Sequence, residues 1–292
     1  MTRRGFLKGL LATVLAGLFV ALYSFFVEPA LRLRVRRWVV RRDDWTAPPL
    51  RIAVLSDLHV GEPFVGPRRV QQVVSRINAL APDLILLLGD YAAGHKFVTQ
   101  PVKIAEIAPI LGQLAAPHGV FAVLGNHDWW DDRAAQRRGG GPNLYAEALE
   151  AHGIPVLSNQ AVKLDIGVWV AGLEDQLALL RGPRGLIGLD DLPGTLSQVT
   201  DDAPVILMAH EPDIFPQVPD RVALTLSGHT HGGQVRVFGY SPIVPSRHGN
   251  RYAYGHVREE GRDLIVSGGI GCSILPVRLG VVPEITVVEI AS

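Results

Sequence analysis

Cysteine is almost missing from this chain of 292 residues, which holds one, Cys272. A lone cysteine excludes an intramolecular disulfide and reads as a small buried residue, so it says nothing about compartment. Net charge is missing too: 28 basic residues balance 28 acidic ones. The balance hides a split, with residues 1–42 at +8 and residues 43–292 at −8. An acidic body without a basic stripe argues against nonspecific nucleic-acid binding, and against a nuclease. The glycine-rich fragments Ser267–Gly271 and Gly139–Gly141 lack the Lys-Ser/Thr that completes a P-loop. Internal repeats and long disordered tracts are also lacking. About 245 residues remain after the apolar N-terminus, enough for one α/β domain.

Five short fragments over 175 residues supply the chemistry. They are Asp57-Leu58-His59, Gly89-Asp90, Gly125-Asn126-His127-Asp128, Ala209-His210-Glu211-Pro212 and Gly228-His229-Thr230-His231. Each ends or follows an apolar run: RIAVLS at 51–56, LILLL at 84–88, VFAVL at 120–124, VILMA at 205–209 and ALTLS at 223–227. Runs of this length bounded by turn residues read as strands buried on both faces. Sites in open α/β sheets gather beyond the carboxyl ends of strands. A two-metal phosphoryl-transfer centre needs two cations about 3.5–4 Å apart, a shared carboxylate and ligands on both sides, and these fragments offer that inventory. Asp57 and His59 are two apart, as are His229 and His231; in extended segments each pair points to one side. Gly89 permits a tight turn before Asp90. Water shared by two such cations loses a proton near neutral pH and would act as nucleophile, so no Ser, Cys or Lys nucleophile is required. Singly, Asp-x-His is usually structural, Gly-Asn-His-Asp is a polar turn and His210 is a core histidine. The joint pattern decides for a metal centre.

The order D-x-H, GD, GNHD, H, GHTH resembles the calcineurin-like metallophosphoesterases. Longer phrases sharpen the likeness: LSDLHVG, PDLILLLGDY, GVFAVLGNHDWW, AHEPD, SGHTHGGQV and PEITVVEI. It extends from about Arg51 to the C-terminus and is nearest to the membrane-anchored subgroup of YkuE- and YaeI-type phosphodiesterases, related to UDP-2,3-diacylglucosamine pyrophosphatases. The resemblance implies that Asp57, His59, Asp90 and His231 hold one divalent ion. Asp90, Asn126, His210 and His229 hold a second, with Asp90 bridging. His127 would stabilise the transition state or protonate the leaving oxygen, and Asp128 would orient and charge it. Purple acid phosphatases carry a ligating Tyr where this chain has Ala93; Tyr91 would point away. The O and N ligands suit Mn, Fe, Zn or Mg without choosing among them.

His95, His118, His152, His248 and His256 lie outside the fragments and read as surface or structural, with His95 and His248 retained as possible substrate contacts because of their loops. Trp129 through Pro142 reads equally as a flexible cap over a lipid or sugar substrate or as an ordinary loop. Ser246–Tyr252 is a second candidate rim, in which Arg247 or Arg251 could contact a phosphate.

The N-terminus carries a second signal. Thr2-Arg3-Arg4-Gly5-Phe6-Leu7-Lys8 resembles the twin-arginine export motif and precedes 18 uncharged residues, Leu10–Val27. That length suits a membrane span, and Glu28-Pro29-Ala30-Leu31 is a poor cleavage site, so the segment reads as an uncleaved anchor. Six arginines follow it (Arg32, Arg34, Arg36, Arg37, Arg41, Arg42) against three basic residues before it, which by the positive-inside rule would hold the domain in the cytoplasm. The twin-arginine motif argues for export. LRLRVRRWVV alternates like a strand, so some of these arginines belong to the fold; the balance favours an extracytoplasmic domain. The cluster could also bind anionic lipid head groups.

The expected architecture is α/β, a four-layer αββα sandwich of two mixed β-sheets flanked by helices, with an N-terminal transmembrane or signal helix. Residues 1–30 form the signal or anchor, 31–50 an Arg-rich connector or first strand, and 51–292 the phosphoesterase domain. Helices are expected at 67–79, 102–115, 143–152 and 190–198. Strands are expected at the five apolar runs and near 155–157, 162–164, 168–171, 264–267 and 284–289. The expected function is hydrolysis of a phosphodiester or pyrophosphate on a lipid or envelope-linked substrate, such as UDP-2,3-diacylglucosamine, a cytoplasmic compound excluded if the domain is exported. The alternatives are a broad cell-envelope phosphodiesterase or phosphatase, and a non-catalytic metal-binding scaffold. The resemblance implies that inactive relatives lose the bridging Asp or the GNHD His, and Asp90 and His127 are both present.

Overall fold

The computed structural model describes residues 2–181 and 185–292. Helix α1 (Arg3–Leu22) has no buried side chain among the described residues. Together with the turns that continue it to Leu31, it is long and apolar enough to cross a membrane. Its foot is fixed: Ser24, Glu28 and Pro29 are buried, and the Ser24 carbonyl accepts a 2.9 Å bond from the Arg278 amide.

Two mixed sheets follow. In the first, β1 (Arg34–Arg41), β11 (Glu284–Ala291), β2 (Leu50–Leu55), β3 (Leu84–Leu87) and β4 (Val120–Ala122) lie in that order. The chain's last strand, β11, runs parallel to β1 and antiparallel to β2, while β2, β3 and β4 are parallel. The Arg-rich connector is thus part of the sheet. In the second, the order is β9 (Gly255–Glu259), β10 (Arg262–Val266), β8 (Val222–Ser227), β7 (Val205–Met208), β6 (Val168–Gly172) and β5 (Gln160–Leu164). Its four central strands are parallel and its two edge strands antiparallel.

Alternation along each strand divides the core into three. Ile52, Val54, Leu84 and Leu86 face Val170, Ile206, Met208, Leu224 and Leu226 between the sheets. Ala53, Leu55, Ile85 and Leu87 face outward, onto the stripe Val70, Val73, Val74 and Ile77 of α2 (Pro67–Asn78) and onto Ile107, Ala108 and Leu111 of α3 (Ile104–Leu111). On the far side, Ala171, Val205 and Leu207 pack with Phe215, Tyr252 and Leu192 of α7 (Leu192–Ser197). Helix, sheet, sheet, helix is the expected order of layers.

Local chemistry moved several boundaries. Lys103 caps α3 with Glu106, and Gly112 closes it, so the expected 102–115 shrinks at both ends. Helix α6 (Leu144–Glu150) likewise starts inside an Asn143 cap. The expected strand at 155–157 is only an isolated bridge between Val156 and Ala122. Strand β9 was not anticipated. The Gly-Asn-His-Asp turn is the start of a helix, α4 (Asn126–Asp131), followed directly by α5 (Arg133–Arg138). Leu86 is fully buried between the sheets. Leu86→Ala should therefore cost roughly 2–5 kcal/mol, read as a lowered urea midpoint of the purified protein.

Candidate metal centre

All five fragments leave the carboxyl ends of parallel strands, β2, β3 and β4 in one sheet and β7 and β8 in the other. What turns their side chains inward is backbone handedness. Asp57, His59, Asp90, His229 and His231 all have positive φ, at 54°, 42°, 58°, 65° and 51°. This corrects the expectation that each i, i+2 pair converges because it is extended. No such strand exists there; the chain reverses through left-handed residues. Asp and His are among the side chains that tolerate this region, and strain of this kind costs on the order of 1–3 kcal/mol per residue. Gly89 takes φ +90°, and a Cβ on it would lie 2.4 Å from the Gly125 amide nitrogen. A Cβ on Gly125 would meet Asp90 Oδ1 at 2.3 Å. Only glycine lets these two turns close on each other.

Two donor clusters result, buried except for the half-buried His229. In one, His231 Nε2 lies 3.5 Å from Asp57 Oδ1 and 3.0 Å from His59 Nε2, with the two rings stacked. In the other, His229 Nδ1 lies 3.0 Å from Asn126 Oδ1, and the His210 ring meets the His229 ring edge-on. Asp90 joins them: its Oδ2 is 3.4 Å from His59 Nε2 and 3.2 Å from His210 Nε2. Its Oδ1 accepts from the His127 amide at 2.9 Å.

Two of the histidines are presented as ligands by carbonyls behind them. His59 Nδ1 and His210 Nδ1 face the carbonyls of Ala92 and Leu88 at 2.9 and 2.6 Å, so each donates there and turns the Nε2 lone pair to the cluster. Burial, only partly offset by Asp90, pushes His59 down to about 3, which keeps it neutral. Burial opposes charge on His210 as well, but the Asp90 carboxylate holds it well above the ordinary histidine range. A proton and a cation compete for that lone pair. Asp57 Oδ2, His210 Nε2, Asp175 Oδ2 and Glu211 Oε1 are buried without a hydrogen-bond partner. Several lone pairs converging in a buried site fit divalent cations.

His127 stands at the mouth of the site. Its ring is edge-on to His59 at 4.8 Å and tilted on Trp130 at 5.0 Å, and its Nε2 is 3.4 Å from Ser273 Oγ. Asp128 is not beside it in the way expected. Its carboxylate accepts four backbone N–H bonds, from Asp90, Tyr91, Ala92 and Gly125, at 2.7–3.0 Å. No hydrogen bond joins it to the His127 ring among the described residues; it holds backbone instead of charging the imidazole.

Three residues near the site escaped the sequence reading. Glu211 approaches His229 Nδ1 at 3.9 Å; it directly follows His210, and its position was the available signal. Asp175 lies with His210 and Glu211 in a further group able to hold an ion. Burial, then the neighbouring Glu211 charge, holds the Asp175 carboxyl well above its usual range. Arg278 is fully buried, donates to the carbonyls of Gly271, Gly268 and Val281, and points Nη2 at His231 Nδ1, 3.0 Å away. Flanked by Val277 and Leu279, it carries no sequence signal.

Other candidates fall elsewhere. Trp129 is core, bonded to Glu174, so the segment after Asp128 is no flexible cap, although Trp130 lines the site. Arg247 pairs with Asp213 and Arg251 with Glu259. His248 packs on Tyr252, and His95 lies between Phe64 and Phe97. None of these four residues lines the cleft. The Tyr91 hydroxyl turns away to the Val123 carbonyl, 3.3 Å distant.

A cleft of about 510 Å³ opens over the clusters. Asp90, Asn126, His127, His229 and His231 line it, together with an apolar set, Val235, Pro242, Ile243, Ile274, Leu275 and Val277. A two-sheet sandwich bearing two histidine–carboxylate clusters that share one aspartate defines the class: a metal-using hydrolase of phosphoric ester bonds.

Comparison with known proteins agrees. Residues 50–233 match the calcineurin-like phosphoesterase model. The metallophosphoesterase YkuE of Bacillus subtilis is 31% identical over 306 residues, covering 100% of this chain and 98% of its own. The phosphodiesterase YaeI of Escherichia coli is 30% identical over 292 residues, covering 99% of each. A transmembrane protein with a metallophosphoesterase domain from Danio rerio is 33% identical over 198 residues, 64% of this chain and 41% of that protein. The chain belongs to the calcineurin-like phosphoesterase family.

Asp128→Asn places an amide NH₂ against N–H donors and should cost ~1–3 kcal/mol, seen as a lowered Tm. His127→Ala should leave Tm nearly unchanged while lowering turnover. Equal Tm for both would show that Asp128 does not hold the backbone.

Proposed function

We propose that this chain is a membrane-anchored phosphoesterase using two divalent cations to cleave a phosphodiester or pyrophosphate in an amphiphilic, membrane-borne substrate. One observation carries the reading: Asp90 sits between two histidine clusters in a cleft that is also lined by a group of apolar side chains. Asp57, His59, Asp90 and His231 would hold one cation; Asp90, Asn126, His210 and His229 would hold the other. When bound, the pair supplies Lewis-acid charge neutralisation at the phosphoryl group and acidifies water.

The chain's own groups do the rest. His127, which lines the cleft with its ring held between His59 and Trp130, can serve as proton donor to the leaving oxygen. Asp128 fixes the two turns that set the spacing of Asp90 and Asn126. Arg278 fixes the His231 ring. The apolar lining can take an acyl chain or similar group beside the phosphate, as an amphiphile requires. A diacylated nucleotide sugar such as UDP-2,3-diacylglucosamine fits that description only if the domain faces the cytoplasm.

The connector bears on that side. Arg34 pairs with Glu284, Arg37 with Glu289, and Arg42 with Asp44 and Asp263. These three arginines belong to the folded domain, which weakens them as topology signals, and the twin-arginine motif argues for export. We read the domain as extracytoplasmic and the substrate as an envelope phospholipid or cell-wall phosphodiester. Protease added to spheroplasts should digest the domain; full protection would place it in the cytoplasm and favour the diacylated nucleotide sugar.

Turnover tests the reaction itself. Protein loaded with Mn should hydrolyse a chromogenic phosphodiester, chelation should abolish this, and Asp90→Asn should lose at least ~100-fold, about 2.7 kcal/mol of barrier. A wild-type rate no greater than that of Asp90→Asn would leave only the scaffold reading.

A further inference from the structure

Beside the cleft stands a short hairpin with no role in the site. Val237 and Tyr240 exchange both backbone bonds, at 2.9 and 3.0 Å, around Phe238 and Gly239. Those two residues have φ of +49° and +81°, the two-residue turn that matches strand twist. Asn-Gly is the usual occupant of such a turn; an aromatic side chain at positive φ is an outlier. Phe238 is as exposed as a side chain can be, at 106% of its reference area. Scattered apolar residues on a surface need no explanation. Here Val237, Tyr240, Ile243, Ile274 and Leu275 are exposed on the same two connected loops, which is a contiguous apolar feature.

Backbone bonds tie this feature to the foot of α1. Arg236 N donates to Leu279 O at 2.8 Å, and Leu279 N to Gln234 O at 2.9 Å. The preceding residue, Arg278, donates its amide to Ser24 O. Gln234 also bonds the Leu275 carbonyl and the Ser273 amide, fixing the second loop to the first. Around the root lie side chains suited to a lipid head-group zone. Arg236 is 5.9 Å from the Tyr254 ring, Tyr254 bonds Arg34, and Arg36 lies over Trp38 at 4.3 Å. Tyr, Trp and Arg favour membrane interfaces because each has an apolar body and a polar end.

We infer that the Phe238 hairpin, with Ile243, Ile274 and Leu275, inserts into the lipid bilayer as a second membrane contact and seats the mouth of the cleft on the membrane surface. The inference rests on the reading of α1 as a membrane anchor, and its occupant is lipid. An amphiphile would then reach the apolar lining without leaving the bilayer, because Ile243, Ile274 and Leu275 belong both to that lining and to the inserted surface.

The test uses the full chain in nanodiscs of zwitterionic and anionic phospholipid, in a Cys272→Ser background. Phe238→Cys, Val14→Cys and Ser75→Cys each receive one environment-sensitive fluorophore, with turnover of a soluble chromogenic phosphodiester confirming that each folds. Val14 reports the anchor; Ser75 is an exposed position on α2. Nitroxide on the lipid acyl chains should quench the label at 238 several-fold more than the label at 75, and aqueous iodide should do the reverse. A label at 238 that behaves like the one at 75 overturns the inference. If the label at 14 is still quenched by lipid, the anchor reading survives that failure; if it is not, the anchor reading falls separately.

Discussion

The site depends on one carboxylate that lies outside both donor clusters. Asp128 gathers four backbone N–H groups from two turns that leave different strands, β3 and β4. A fully buried carboxylate is costly unless its lone pairs are filled, and these four donors fill both oxygens. The bonds fix where Asp90 leaves its strand relative to Asn126 and His127. Since Asp90 is the group common to both donor clusters, an error in that spacing would be felt in both at once.

Around this anchor the backbone is held in conformations it would not choose. Five side chains of the two clusters come from left-handed residues, each closing the end of a strand. The two sheets make this tolerable. Strands β2, β3, β7 and β8 are buried on both faces, so the turns beyond them have fixed points of departure. Buried carboxylates with unpartnered oxygens then add electrostatic cost. Such a site is stable only when the surrounding structure over-determines it or when a cation offsets the repulsion.

Much of this was legible in the sequence, and the legible parts share a cause. Short apolar runs mark buried strands, and polar fragments at their ends mark the site, because both follow from residue type and period. The layer order and the gathering of the five fragments could be read that way; the choice of Asp57, His59, Asp90, Asn126, His210, His229 and His231 within them came from the family resemblance. The means of convergence could not, since period-2 logic does not foresee φ near +55°. Asp128 was given a side-chain partner because sequence shows it next to His127, whereas its bonds are to amides up to 38 residues away. Arg278 and Glu211 were missed for similar reasons: a long-range contact leaves no local pattern, and a well-marked neighbour hides the residue after it.

The bond between the Arg278 amide and the Ser24 carbonyl also ties the foot of α1 to the catalytic body. Beyond Ser24 the chain turns through a buried Glu28 and Pro29 and enters β1, which is paired along its whole length with β11. There is no slack tether between helix and sheet. With α1 in a bilayer, the catalytic body would ride at a fixed height and tilt, and it would meet its targets by lateral diffusion within the membrane plane. Its reach would then be set by geometry, with phosphates buried too deep or held too far above the head groups passing unseen whatever their chemistry.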